Sequence, residues 1–174
     1  LVHTDLTVVD EDLRVLASSY RHTVNGNWQR TALHWELAQN TVTGCTAMYN
    51  RALGDLLQDE PSFFVMHDWW LALTASAFGL IVPLDEATIL YRQHGDNAVG
   101  AKFVRSPRYL LRRLFDVKGY RKELAETFLQ SESFYDAFRD RLSPEQRALT
   151  AGYGSLSQAG WLRRRWFQLK NRAV

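Results

Sequence analysis

From Trp69 to Leu84 the chain carries no charged residue, and no other feature restricts its fold as strongly. A stretch of this kind has to leave water. It is shorter than the roughly 20 apolar residues that cross a bilayer as a helix, and it contains Thr74, Ser76, Gly79 and Pro83. Burial inside a core is the remaining solution, as a helix from Met66 to Phe78 followed by strands. Almost every position from Trp69 to Phe78 is apolar or small, so the helix is expected to be covered on most sides. Asp68 stands where it can cap the start, and Gly79 where it can end the helix. Leu80-Ile81-Val82 and Thr88-Ile89-Leu90-Tyr91 read as the next strands, with Asp85-Glu86 turning between them.

Upstream, strands and short helices alternate. Leu6-Thr7-Val8-Val9 has the β-branched content of a strand, ended by Asp10-Glu11-Asp12. Leu13 to Tyr20 reads as a short helix, Asn25-Gly26-Asn27 as a turn and Ala32 to Ala38 as a helix. Thr41 to Tyr49 reads as a strand carrying Gly44, and Arg51 to Leu57 as a further short helix. Beyond Gly100 the pattern is helical. Ser106-Pro107 and Ser143-Pro144 each pair a cap residue with a first-turn proline, and Gln146 stands where a capping box needs it. Helices are expected at 107–115, 118–129, 134–142 and 144–152, and from Leu156 towards Arg172. The fold class is therefore α/β, an α+β unit followed by a mainly helical tail, with units at 1–102 and 103–174.

Charge changes sign near the same place. Residues 1–99 hold 5 Lys/Arg against 12 Asp/Glu, and residues 100–174 hold 16 against 7, within a net charge of +2. Such asymmetry points to two parts with different partners. Cys45 is the only cysteine, which excludes an internal disulfide and suits a reducing compartment. The chain opens on Leu1 without a signal-peptide pattern and reads as part of something longer.

Three groups of residues could carry chemistry. His67-Asp68-Trp69-Trp70 sets a carboxylate at a helix start beside two indoles, a pattern suited to a general base next to a sugar ring. Equally, Asp68 could cap the helix while the tryptophans fill the core. Tyr91-Arg92-Gln93-His94-Gly95-Asp96-Asn97 follows a strand, where loops expose functional side chains. Arg92 could hold a diphosphate in fork geometry, and His94 could ligate a divalent metal or donate to phosphate. A polar turn built on Gly95 and Asn97 is the plain alternative. Basic helices form the third group. Arg105, Arg108, Arg112 and Arg113 surround Tyr109 to Phe115, and Trp161-Leu162-Arg163-Arg164-Arg165-Trp166-Phe167 precedes Lys170 and Arg172 with no acidic residue. Arginine with tryptophan suits an anionic membrane surface, or a solvated face packed on neighbours. No nucleic-acid-binding motif is recognisable, and no nucleic acid partner is expected.

Taken in order, Val2-His3-Thr4-Asp5-Leu6-Thr7-Val8-Val9-Asp10, Gln39-Asn40-Thr41-Val42-Thr43-Gly44-Cys45-Thr46, His67-Asp68-Trp69-Trp70-Leu71-Ala72-Leu73, Leu84-Asp85 and Tyr91 to Asn97 resemble the bacterial family 2 glycosyltransferases of the rhamnosyltransferase type. The resemblance covers Leu1 to about Lys102. It implies the C-terminal, acceptor-side part of a GT-A fold and an inverting transfer of a sugar, rhamnose by the family type, from a nucleoside-diphosphate sugar to a glycan or lipid-linked acceptor. It places the catalytic base at Asp68 and acceptor contacts at His67, Trp69, Trp70, Gly44 and Thr46. Diphosphate contacts fall at Arg92 and His94, with His94 also a candidate metal ligand. A divalent cation, magnesium or manganese, is implied for the complete enzyme, in cell-surface polysaccharide synthesis such as O-antigen assembly. The implied location is the cytoplasm, at the inner face of the membrane.

Asp10-Glu11-Asp12 mimics the metal-binding D-x-D of that family. A nucleotide-binding βαβ unit takes about 30 residues and cannot fit before it, so the match reads as a decoy. The donor-binding half is expected to precede Leu1. This chain alone is accordingly expected to bind no metal and to be inactive. Two other classes remain open. One is a non-catalytic module for a glycan or membrane surface, with Asp68 buried and salt-bridged. The other is a metal phosphohydrolase, which would need His3, His22, His34 or His94 to converge on His67-Asp68.

Overall fold

A computed structural model describes residues 1–24, 27–57, 61–93 and 116–171. It is a mixed α/β structure around a four-stranded mixed sheet. Strand β1 (Val2–Val9) runs through the middle. Strand β4 (Val82–Arg92) lies parallel to it, from Val2 opposite Val82 to Val9 opposite Arg92. Strands β2 (Val15–Ala17) and β3 (Ala47–Met48) pair with it antiparallel, at Val8–Val9 and at Val2–His3 respectively.

Two local readings change at this sheet. The helix expected from Leu13 to Tyr20 is instead strand β2 followed by one helical turn, α1 (Tyr20–Thr23). Asp10 is the reason. Its carboxylate accepts from the Asp12 and Arg14 amides at 2.9 and 2.8 Å, Leu13 takes a positive φ of 63°, and the chain folds back on β1. Likewise, Asp85-Glu86 does not turn between two strands. The register jumps from His3 opposite Pro83 to Asp5 opposite Ala87, so the extra residues are absorbed as an irregularity within one long strand. The Arg21 guanidinium steadies that place, donating to the Leu84 carbonyl at 2.9 Å and the Asp85 carboxylate at 3.3 Å.

Helix α2 (Leu33–Glu36) and helix α3 (Arg51–Leu56) fall where expected. Between them, the strand expected from Thr41 to Tyr49 is a 3-10 turn at Gly44–Thr46 leading into the short β3. Helix α4 (His67–Phe78) is buried continuously from Trp69 to Ala75 and ends at Gly79. No helix of the described residues is long and apolar enough to cross a membrane.

Helices α5 (Val117–Phe138), α6 (Pro144–Gly154) and α7 (Trp161–Asn171) complete the described chain, with a 3-10 turn at Ser155–Gln158 before α7. The two helices expected at 118–129 and 134–142 are one. The polar residues between the two expected ranges, Gln130, Ser131 and Ser133, are buried on α5 and bond to neighbouring segments. Gln130 accepts from the Val65 amide at 2.9 Å, Ser133 from the Phe63 amide at 3.0 Å, and Ser131 donates to the Thr150 carbonyl at 2.9 Å. Thus α5 holds the 61–66 segment that enters α4. The Ser143–Gln146 capping box forms as expected, and Gln146 also donates to the Ala77 carbonyl at 2.7 Å, tying α6 to the end of α4. One of two core clusters among the described residues joins Leu33, Leu37, Trp69, Trp70 and Leu73 to Phe128, Phe134, Phe138, Tyr153 and Phe167, across the boundary placed near Lys102, and the other gathers Val42, Leu53, Leu71 and Ile81. The helix expected at 107–115 lies outside the described residues.

Candidate active site

Asp68 lies one residue inside α4, whose N-cap is Met66, so it does not cap the helix. Its carboxylate turns outward to the 40–44 segment instead. One oxygen accepts from the Asn40 side-chain amide at 3.0 Å and the other from the Gly44 backbone amide at 3.0 Å. The helix N-terminus, with its partial positive charge, favours an anion here. Glycine is favoured at 44 by space rather than by φ. A Cβ would stand 2.7 Å from His67 Nε2 and 3.1 Å from Asp68 Cβ.

Asn40 is itself held from below. Its side-chain oxygen accepts from the Val42 amide at 2.9 Å. Next to it, Thr41 bonds through both its amide and its hydroxyl to the carboxyl of Glu36, which is fully buried. Burial pushes that carboxyl up to about 7, against the opposing effect of the Thr41 bonds. The Glu36 carbonyl accepts from the Trp69 indole at 2.6 Å. Residue 36 therefore couples the Asn40 loop to the same helix that carries Asp68.

A cleft of about 620 Å³ opens beside Asp68. Tyr20, Trp28 and Tyr91 line it together with Asn40, Gly44, Cys45, Phe64, Met66 and His67. Tyr20 is the hub of the aromatic group, 6.5 Å from both the Trp28 and Tyr91 rings, and the Arg21 guanidinium lies 5.6 Å over Trp28. Burial raises the Tyr20 and Tyr91 hydroxyls above their usual range, and Tyr91 and Asp68 add to the effect at Tyr20. Burial followed by the Asp68 charge also raises the Cys45 thiol, against its own backbone bond. These groups present neutral donors and aromatic surface around one carboxylate.

The expected site residues divide. Asp68, His67 and Gly44 come together at the cleft. Trp69 and Trp70 do not line it; they are 8% and 6% exposed in the core, with Trp70 edge-on to Phe134 at 5.3 Å. In the first turn of α4 successive residues point about 100° apart, so Asp68 and the indoles after it cannot share one face. Thr46 is also buried, its hydroxyl donating to the Thr43 carbonyl at 2.9 Å. Arg92 ends β4 opposite Val9 and is exposed, whereas its neighbour Tyr91 faces the cleft. His94 lies outside the described residues, as do Arg105, Arg108, Arg112, Arg113 and Arg172. Trp28 was missed; only the neighbouring turn signal marked its segment. Asn40 and Tyr91 stood inside quoted motifs without an assigned role.

Asp10 and Asp12 are engaged within their own turn, with Arg14 bonded to Asp12. His3 is buried beside Arg21, its Nδ1 3.4 Å from the guanidinium, and the His34 ring lies tilted against Trp35 with centroids 4.9 Å apart. No three His, Cys, Asp or Glu side chains among the described residues are grouped to hold a metal ion, so the ligand convergence that a His/Asp metal phosphohydrolase needs is not found there. No family, curated protein or solved structure matches the chain in comparison with known proteins.

Proposed function

We propose that this chain forms the acceptor side of an inverting glycosyltransferase of GT-A fold, with Asp68 as the general base. The observation that carries the reading is the setting of Asp68, at the wall of an aromatic-lined cleft with its carboxylate aimed by two neutral donors. Each oxygen accepts one bond and keeps a second lone pair. An acceptor hydroxyl can therefore donate to Asp68 while Trp28, Tyr20 and Tyr91 offer ring surface to a sugar. As the acceptor oxygen bonds to the anomeric carbon, its proton passes to Asp68, and the bond to the diphosphate breaks with its electron pair on the leaving group. A divalent cation would stabilise that leaving group. The described residues show no ligand set for it, and no step assigned to this chain runs through it. Rhamnose is the proposed sugar transferred, a nucleoside-diphosphate sugar its donor, and a glycan or lipid-linked acceptor the proposed recipient.

The test is Asp68→Asn in the enzyme complete with its nucleotide-binding half. Transfer should fall about 10²–10⁴-fold, while affinity for the nucleoside-diphosphate sugar stays within about twofold of wild type, because the base acts on the acceptor. Turnover near the wild-type rate would remove Asp68 from the mechanism.

A further inference from the structure

We propose that α7 attaches the protein to an anionic membrane surface, with Trp161, Leu162, Trp166 and Leu169 in the interfacial layer. The helix has two working faces. Its inner face packs on the core through Phe167, which is buried and near the Tyr153 ring at 6.0 Å. Arg164 belongs to the same face. Its guanidinium lies 5.4 Å over Phe128 and donates to the Leu156 and Ser157 carbonyls at 3.0 and 3.2 Å. The core-facing requirement is thereby met.

The outer face is apolar as well, which packing alone does not require. Trp161, Leu162, Trp166 and Leu169 are 73%, 76%, 60% and 67% exposed. Trp161 and Leu169 stand two i,i+4 steps apart and Leu162 and Trp166 one, so all four lie on one side of the helix, roughly opposite Phe167. Exposed Arg165 stands among them, exposed Arg163 lies at their edge with its guanidinium donating to the Ser155 hydroxyl at 3.3 Å, and Lys170 lies 5.1 Å over the Trp166 ring. The helix carries no acidic residue. A surface with this composition matches a lipid interface, where indoles sit at headgroup depth and arginine stems lie along the apolar layer with their charges in the headgroups. Nucleic acid would satisfy the basic residues and leave four large apolar side chains in water. Lipid accounts for both.

The experiment is co-sedimentation of the intact chain with vesicles of phosphatidylcholine alone or mixed with phosphatidylglycerol. Binding is expected to the mixed vesicles at low salt, to weaken as salt rises, and to be at least about tenfold weaker without the anionic lipid. Trp161→Ser with Trp166→Ser, and separately Arg163→Glu with Arg165→Glu, should each lower binding about tenfold or more. All four residues are exposed, so the circular dichroism spectrum should be unchanged. Phosphatidylglycerol with brominated chains should quench tryptophan emission in the wild type and lose most of that effect in the double tryptophan variant. Equal binding to neutral and anionic vesicles, no binding to either, or a folded double tryptophan variant that binds as wild type would overturn the proposal. Retention on nucleic acid or on a protein partner without vesicle binding would do the same.

Discussion

Gly44 shows how little freedom the candidate site has at the level of single atoms. A methyl group there would meet His67, which is exposed and can swing away, and then the Cβ of Asp68, which the first turn of α4 holds in place. Gly44→Ala is expected to cost about 1–2 kcal/mol by thermal unfolding and, with Asp68 as the proposed base, to lower transfer in the complete enzyme by moving that carboxylate. Two buried titratable groups make an opposed pair. Glu36 is raised to about 7 by burial, so between its ordinary value and 7 the fold holds a proton that the unfolded chain releases. Its contribution to stability is present in acid and lost as pH rises through about 7. His3 is lowered to about 4, by burial and then by Arg21, with Asp5 acting the other way. It is neutral in the fold and charged in the unfolded chain between about 4 and 6.5, so its contribution is lost as pH falls through that window. The two slopes oppose each other in mild acid, and the wild-type profile there should be nearly flat. Glu36→Gln should remove one slope. It should be more stable than wild type above pH 7, by on the order of 2 kcal/mol, and lose stability below about 6.5. Urea unfolding across that pH range reads both effects, and a curve parallel to wild type would contradict the assignment.

Among the elements, β4 carries the clearest liability. It pairs with β1 along one side, and no other described strand pairs with it. Val82, Leu84 and Leu90 are 44%, 42% and 61% exposed along it. A long edge of this kind is a template for pairing with another chain. Self-association at raised protein concentration is the expected outcome, seen as a concentration-dependent sedimentation coefficient. Leu90→Lys should suppress it without lowering thermal stability by more than about 0.5 kcal/mol, as an exposed edge lysine blocks pairing. Helix α5 plays the opposite part. Its buried Gln130 and Ser133 satisfy backbone amides of the segment that supplies Phe64 and Met66 to the cleft. The C-terminal helices thus help to shape the site.

At the scale of the whole molecule, donor chemistry and acceptor chemistry are expected to separate. The chain has no Gly-rich phosphate loop, and its described parallel pairing is the single β1–β4 pair, whereas nucleotides bind at the carboxyl ends of several parallel strands. Positioning of the donor and stabilisation of its leaving group can each be worth several kcal/mol of barrier. This chain by itself is expected to yield no sugar transfer and no heat of binding with nucleoside-diphosphate sugars and manganese. Micromolar donor affinity in calorimetry would contradict this and direct attention back to Asp10 and Asp12, which the structure shows occupied with their own turn and with Arg14.

Local signals were enough for the elements whose causes are local. The uncharged run required a buried α4, Gly79 ended it, Ser143 and Gln146 announced the start of α6, and the β-branched run announced β1. Asp68 stands out in the sequence through the ordered family resemblance, because a carboxylate at a helix start is by itself ordinary. What surrounds that carboxylate was not local. A segment apolar at nearly every position has no face preference of its own, so tertiary contacts decided that Trp70 turns inward on Phe134 and Phe138 and Trp69 towards the Glu36 carbonyl. The partners of Asp68 come from the 40–44 segment, and the cleft's indole comes from Trp28, still further upstream. Pairing with β1 likewise carried β4 straight through Asp85-Glu86, because the sheet could take up the extra residues as an irregularity. Helical period and capping are properties of neighbours in sequence, whereas the walls of a cleft are set by which buried faces meet.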